Sequence, residues 1–257
     1  MRREGMIDFT GKNILVVGAS SGIGEETAYV LAENGANVIL VARREAKLKE
    51  VCEKISSEHK SYYIGDVSDI DSIEGLIKKI VAEKGKLDGM AYVAGISDGD
   101  VPLKFLTFER QMNTFITNYF GFVECVRQVT KRGLYNEGMR IAAVSSVASL
   151  RGEKAHVAYS ASKSAMDSAI RCIAKELGPK KICINSVAPS MVNTDMYQHF
   201  LEIQGEKSDA NIRAINRQYL GLAETRDVAN ALAFLLSDKA WFITGITMPV
   251  DGGFSTT

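Results

Sequence analysis

Short apolar runs alternate with stretches in which apolar residues recur at three- and four-residue spacing, from residue 12 almost to the C-terminus. Residues 12–18, with Ile14-Leu15-Val16-Val17 at their centre, predict a buried strand. A glycine-rich turn follows, then a helix carrying Thr27, Ala28, Val30 and Leu31 that Asn34-Gly35 stops. Residues 38–42 predict the second strand, and Leu48, Val51, Cys52 and Ile55 mark the apolar face of the helix after it. Tyr62-Tyr63-Ile64 predicts a short third strand. Ile70, Ile73, Ile77 and Ile80 predict a helix that Gly85 ends, and residues 87–93 a fourth strand. A long helical region over 103–132 leads to a fifth strand at 140–145. A short irregular link then precedes a helix with Ala165, Ala169, Ile173 and Leu177 in one stripe, ending near Gly178-Pro179. Residues 182–187 predict a sixth strand. The mixed-charge segment 195–219 predicts one or two helices, a mobile lid at about 190–220. A helix at 227–236 and a strand at 245–250 close the chain. Strands alternate with helices without linker or repeat, so residues 1–257 predict one α/β domain, a doubly wound parallel sheet flanked by helices.

Composition narrows the function. The chain has 257 residues, 46% of them hydrophobic, enough for one sizeable core. Lys plus Arg and Asp plus Glu number 31 each, which gives no electrostatic reason to expect nucleic acid. The start has no apolar h-region and no apolar run approaches membrane-spanning length. Cys52, Cys125, Cys172 and Cys183 are widely spaced, as are His59, His156 and His199, so no metal set is expected and the thiols fit a reducing compartment. The expectation is a cytoplasmic domain of enzyme size.

Two constellations carry chemistry. The run Gly18-Ala19-Ser20-Ser21-Gly22-Ile23-Gly24 joins a strand to a helix, where backbone N–H groups and the helix dipole favour a pyrophosphate and glycine lets it approach. The spacing is Gly-x3-Gly-x-Gly, not the Gly-x-Gly-x-x-Gly of other dinucleotide folds. The second constellation lies between residues 141 and 163. Tyr159 and Lys163 are four apart, hence one helical turn from each other on one face, and Ser146 ends the preceding strand. A tyrosine near its usual pKa of about 10 is a poor acid or base at neutral pH. A cation about 4 Å away, at an effective dielectric near 20, favours the phenolate by roughly 4 kcal/mol, enough to bring Tyr159 towards ~7. Ser146 would then hold a substrate oxygen near the phenol. The motif Tyr-x-x-x-Lys alone occurs by chance on many helices; its company here gives it weight.

The end of the second strand bears on cofactor choice. A site for NAD places a carboxylate there for the ribose 2′-hydroxyl. This chain has Ala42, then Arg43 and Arg44, whose guanidinium forks suit a 2′-phosphate. NADPH is therefore the expected cofactor, with Arg43 the main contributor.

With these motifs placed, the chain resembles the short-chain dehydrogenase/reductase family over nearly its whole length. The resemblance implies a Rossmann-type domain and a catalytic tetrad of Asn118, Ser146, Tyr159 and Lys163. In it Lys163 also binds the nicotinamide ribose, and Asn118 disturbs its helix and holds a water linking Lys163 to solvent. It further implies that Asp66-Val67 contacts the adenine, that Ala94-Gly95 ends the motif usually written Asn-Asn-Ala-Gly, and that Pro189, Val192 and Thr194 belong to the loop holding the nicotinamide carboxamide. Val250-Asp251-Gly252-Gly253 resembles the family's C-terminal signature. Three positions depart from the pattern: Tyr92-Val93 replaces Asn-Asn, Ser190 stands where glycine is usual, and Val17 where threonine is common. The overall look is closest to the 3-oxoacyl-acyl-carrier-protein reductases, which implies reduction of a small-molecule carbonyl substrate. A sugar, polyol or hydroxysteroid dehydrogenase working in the oxidative direction is the alternative. Carrier docking would need a basic patch; Lys131 and Arg132 are the candidates, with Glu137 close by. The resemblance and the apolar strand at 246–250, an exposed edge in a monomer, imply a homotetramer. A methyltransferase would not need the Tyr-Lys pair with its upstream serine, and a catalytically dead binding module would lose the tetrad, which is complete here.

Overall fold

Successive side chains of a strand point to opposite faces, and both faces of this sheet are buried. Ile14, Val16, Val38 and Leu40 belong to one core layer, while Leu15, Val17, Ile39 and Val41 belong to the other. The computed structural model describes residues 7–204, 212 and 215–256. Among them lie strands β1 (Asn13–Val17), β2 (Asn37–Ala42), β3 (Lys60–Ile64), β4 (Leu87–Tyr92), β5 (Tyr135–Val144), β6 (Cys183–Pro189) and β7 (Thr247–Val250). They form one sheet in the order β3-β2-β1-β4-β5-β6-β7, with every pairing parallel. The chain is an α/β doubly wound fold of Rossmann type, as expected.

The first layer is covered by α1 (Gly22–Glu33), α2 (Glu45–Lys54) and, near the C-terminus, the helix Thr225–Leu236. The second is covered by α3 (Ser72–Lys84), by a helical tract after β4 and by a long helix after β5. The strand order reverses between β1 and β4, which opens a crevice at the carboxyl ends of these strands, where ligands of such sheets bind. Register brings the relevant ends level: Val17 pairs with Val41 on one side and with Tyr92 on the other, Tyr92 with Ala143, and Val144 with Val187.

Three elements differ from the sequence expectation. The helical region 103–132 is broken into a 3-10 turn, α4 (Phe108–Phe115), a π-helical turn (Ile116–Phe120) and α5 (Gly121–Val129). The link after β5 is not wholly irregular, since it contains α6 (Val147–Arg151) with Ser146 as its N-cap. In α7 (Val157–Leu177) the buried face carries Ala158, Ser162, Lys163, Met166, Asp167, Ile170, Ala174 and Leu177, displaced from the expected stripe. Three polar residues lie on that face, so counting apolar positions misplaces it. The expected lid falls partly outside the described residues; within them, α8 (Asp195–Gln204) occupies its first part, and α9 (Thr225–Leu236) follows it.

Candidate active site

The glycine turn forms because Gly18 adopts φ +91°, a left-handed conformation that a side chain would strain, and because β4 crowds it. A Cβ on Gly18 would lie 2.5 Å from the backbone nitrogen of Ala94. Ala94 and Val93 both donate N–H to the carbonyl of Val17, so the turn and the Ala94-Gly95 end of β4 are locked together. The helix α1 starts at Gly22, leaving N–H groups free at its N-terminus. Thr194 touches Gly22 across the crevice, at 3.5 Å from where its Cβ would be. The structure thus brings together Gly18, Ser20, Ser21, Gly22, Ile23 and Gly24 with Ala94 and Thr194, a cradle of backbone donors with no bulk in it. That cradle suits a pyrophosphate.

Arg44 caps the cradle. It is the N-cap residue of α2, and its side chain folds back to donate to Ser20 Oγ (Nη2 2.9 Å, Nε 3.3 Å) and to Ser21 Oγ (2.7 Å). Arg43, expected to be the main phosphate contact, instead turns to Asp66 at 3.8 Å with its side chain 63% exposed. The two arginines diverge because the chain leaves β2 extended, sending neighbouring side chains to opposite sides. Asp66 also accepts from the N–H and hydroxyl of Ser68, which fixes the bend after β3, and Val67 beside it is buried.

Ser146, Tyr159, Lys163 and Asn118 converge at the ends of β4 and β5. Lys163 is 2% exposed and donates to the carbonyl of Val144 at 2.7 Å, and its ammonium stands 5.9 Å from the Tyr159 ring centre. Gly95 permits the convergence: a Cβ there would meet Lys163 Nζ at 3.1 Å and Asn118 Oδ1 at 3.4 Å. Ser146 accepts from the N–H of Ala148 and lies close enough to the half-buried phenol of Tyr159 to favour its phenolate. Asn118 is fully buried in the π-helical turn. Its Oδ1 accepts from the N–H of Ile96 at 2.9 Å, and its Nδ2 donates to the Ile96 carbonyl at 2.9 Å and to Ser162 Oγ at 3.0 Å.

The electrostatics differ from the sequence argument. Burial pushes the Tyr159 phenol up, and the hydrogen bond from Ser146 offsets only part of that. Burial pushes the Lys163 ammonium down to about 8, against which the carboxylate of Asp167 works. Lys163 spends its ammonium on the Val144 carbonyl, and burial sets the direction of the Tyr159 shift. Desolvation outweighs the cation here.

Asp167 was not foreseen. Its Oδ2 accepts from Ser145 at 2.8 Å and Ser149 at 2.6 Å, and its Oδ1 from Ser186 at 2.7 Å. A carboxylate only 3% exposed is thereby held by three hydroxyls, from Ser145 just past β5 and next to Ser146, from α6 and from β6, and lies one turn from Lys163. The signal was its i,i+4 spacing from Lys163 on one helix face. Likewise unforeseen is the clasp beside Tyr159, where His156 Nε2 meets Asp100 Oδ1 at 2.9 Å and the N–H of Val101 bonds the Ala155 carbonyl at 2.8 Å.

The departure at Tyr92 also resolves. The ring is fully buried edge-on against Phe122, centroids 5.4 Å apart, and its hydroxyl donates to the Thr117 carbonyl at 2.6 Å. A π-turn breaks the regular carbonyl ladder, and Tyr92 satisfies the carbonyl next to Asn118. The polar support is rebuilt from β4 rather than lost. Tyr92→Phe leaves that buried acceptor unpaired, costing about 1–3 kcal/mol, so a thermal melt is expected to fall by roughly 3–8 °C. An unchanged midpoint would refute the bracing role.

The comparisons agree with this geometry. The family model described as enoyl-(acyl carrier protein) reductase matches residues 18–255. The chain is 37% identical to an L-xylulose reductase of Caenorhabditis elegans over 96% of its length and 97% of the relative's. It is 32% identical to the 3-oxoacyl-[acyl-carrier-protein] reductase FabG of Staphylococcus aureus, over 94% and 97%. Among solved structures, ElxO with NADP bound superposes with TM-score 0.87 at 31% identity, covering 96% of this chain and 99% of that one. A 3-ketoacyl-(acyl-carrier-protein) reductase from Brucella melitensis complexed with NADH superposes with TM-score 0.85 at 26% identity, covering 96% and 99%. A parallel sheet with a phosphate cradle at its switch point and a Ser-Tyr-Lys cluster beside it defines a nicotinamide-dependent oxidoreductase acting on carbonyl and CH–OH groups. The chain belongs to the short-chain dehydrogenase/reductase family.

Proposed function

We propose that the protein is an NADPH-dependent reductase that converts a small-molecule ketone to a secondary alcohol. The observation that carries this reading is the convergence of Ser146, Tyr159 and Lys163 at Gly95, next to a cradle that Arg44 caps. NADPH, when bound, supplies a hydride to the carbonyl carbon. Tyr159 gives a proton to the carbonyl oxygen, and the Ser146 hydroxyl orients that oxygen. Lys163 is held for the nicotinamide ribose, its charge supported by Asp167. Asn118 has both amide hydrogens engaged and one acceptor position of Oδ1 left for the water of a proton route. Asp66 and Val67 would flank the adenine, and Pro189, Val192 and Thr194 the nicotinamide. The described parts of 190–220 would border the substrate as a lid over a single domain.

The resemblance to 3-oxoacyl-acyl-carrier-protein reductases favours a β-ketoacyl substrate. The 37% identity to an L-xylulose reductase favours a sugar ketone, the second reading. Against carrier docking, Lys131 is paired with Glu74 at 3.1 Å, which blunts the candidate basic patch of Lys131 and Arg132. A screen of NADPH oxidation over β-ketoacyl, sugar and steroid ketones tests the proposal, and no turnover on any of them would count against it.

We also place the protein in the cytoplasm, where its four free cysteines would stay reduced. Among the described residues no helix is long and apolar enough to cross a membrane. A homotetramer would cover β7, at the sheet edge, and the neighbouring Trp241 and Phe242, which are 63% and 85% exposed. Light scattering at micromolar concentration should give four chain masses; a stable monomer would remove this assembly.

A further inference from the structure

Ser190 replaces the glycine usual at its position, and the structure supplies it with a partner. Gln218 is 3% exposed and spends most of its amide on the loop after β6. Its Oε1 accepts from Ser190 Oγ at 3.0 Å and from the N–H of Met191 at 2.9 Å. Its Nε2 donates to the carbonyl of Met191 at 3.1 Å and to that of Gly221 at 2.9 Å. A primary amide has two acceptor positions and two donors, and all four are filled. Gln218 therefore grips both sides of residue 191 as a neighbouring strand would. Next to it the pairing is continued by backbone alone: Val192 bridges Ala223, and the N–H of Asn193 donates to the Ala223 carbonyl at 2.9 Å.

The gripped loop runs from Pro189 to Thr194, and its far end approaches Gly22 of the phosphate cradle, where an added Cβ would lie 3.5 Å from Thr194. Gln218 and Asp195, the first residue of α8, lie at opposite ends of the segment that leaves and returns to this loop.

We propose that Gln218 is a positioning residue for the nicotinamide end of the cofactor, acting through Ser190 and Met191. The proposal rests on the reading of 189–194 as the nicotinamide loop. Gln218 touches no part of the adenosine end, which belongs to Arg44, Asp66 and the glycine turn. Its removal should accordingly weaken ligands that reach the loop and spare those that do not.

The test compares NADPH with 2′,5′-ADP, which carries the phosphorylated adenosine without the nicotinamide, in titrations of the full chain. Gln218→Ala is expected to weaken NADPH at least about tenfold and to leave 2′,5′-ADP within about twofold. Ser190→Ala, which keeps the backbone and removes one of the four bonds, is expected to weaken NADPH about threefold and 2′,5′-ADP not at all. This milder variant decides the matter if Gln218→Ala does not fold. Parent-like NADPH affinity in the variants, or equal loss for both ligands, overturns the positioning role while leaving the function intact. A parent protein that binds neither ligand overturns the function and this role with it.

Discussion

Tyr159→Phe is expected to abolish turnover while leaving NADPH affinity within a few-fold of the parent. The substitution removes one oxygen from a half-buried ring and nothing from the cradle, whose contacts come from the glycine turn, Arg44 and the ends of β4 and β6. Acid–base groups contribute about 10²–10⁴-fold, so kcat should fall to one per cent of the parent or below. The geometry sharpens this expectation. Ser146 could hand on a hydrogen bond, but an unassisted hydroxyl is a poor acid. Lys163 is a better acid, pushed down to about 8 by burial, yet its ammonium points at the Val144 carbonyl. Neither replaces the phenol without moving. Steady-state kcat together with NADPH titration checks the result, and residual activity well above one per cent would mean that the proton comes from elsewhere.

What could be read from the chain was what is local. Strand, glycine turn and helix are consecutive, and Tyr159 and Lys163 are one helical turn apart, so spacing alone brings these groups together. The seven-strand sheet followed from alternation of apolar runs with helical stripes. What escaped depends on pairs distant in sequence. Asp167 is unremarkable until β5, α6 and β6 bring Ser145, Ser149 and Ser186 to it. That same polar load on the buried face of α7 is why the apolar stripe was misplaced: a helix that serves a site buries polar residues, and hydrophobic periodicity cannot see them.

The departures from the family pattern illustrate the same limit. Tyr92 and Ser190 were visible as substitutions, but their compensation was not. Tyr92 reaches a carbonyl 25 residues on, in a π-turn that no periodicity predicts, and Ser190 reaches Gln218, 28 residues on. The Tyr159 phenol is pushed up rather than down for a related reason: helix spacing fixes only that Tyr159 and Lys163 share a face. Where each head group settles is decided by the nearest strong acceptor, here Val144.

Cofactor preference is the second large effect expected, and we expect Arg44 rather than Arg43 to be its main determinant. Ala42 ends β2 with no acceptor for a ribose hydroxyl, so nothing there rewards NADH. Arg44 lies over the turn, its fork already on Ser20 and Ser21, close to where an adenosine ribose would meet the cradle. A 2′-phosphate brings about two negative charges and acceptors that fit that fork, and these bonds are stronger than the hydroxyl contacts they would join. Arg43 is exposed and faces Asp66, and an exposed pair of that kind contributes at most about 1 kcal/mol. The parent should therefore favour NADPH over NADH by at least about tenfold in kcat/KM, or ~1.4 kcal/mol. Ala42→Asp/Arg44→Ala should erase or invert the preference, because it installs a carboxylate for the 2′-hydroxyl and removes the fork. Arg43→Ala alone should change the ratio by only a few-fold. If the parent uses both cofactors equally, the strand end does not select. If Arg43→Ala matches the double change, the selecting cation is Arg43, and Arg44 merely stiffens the turn.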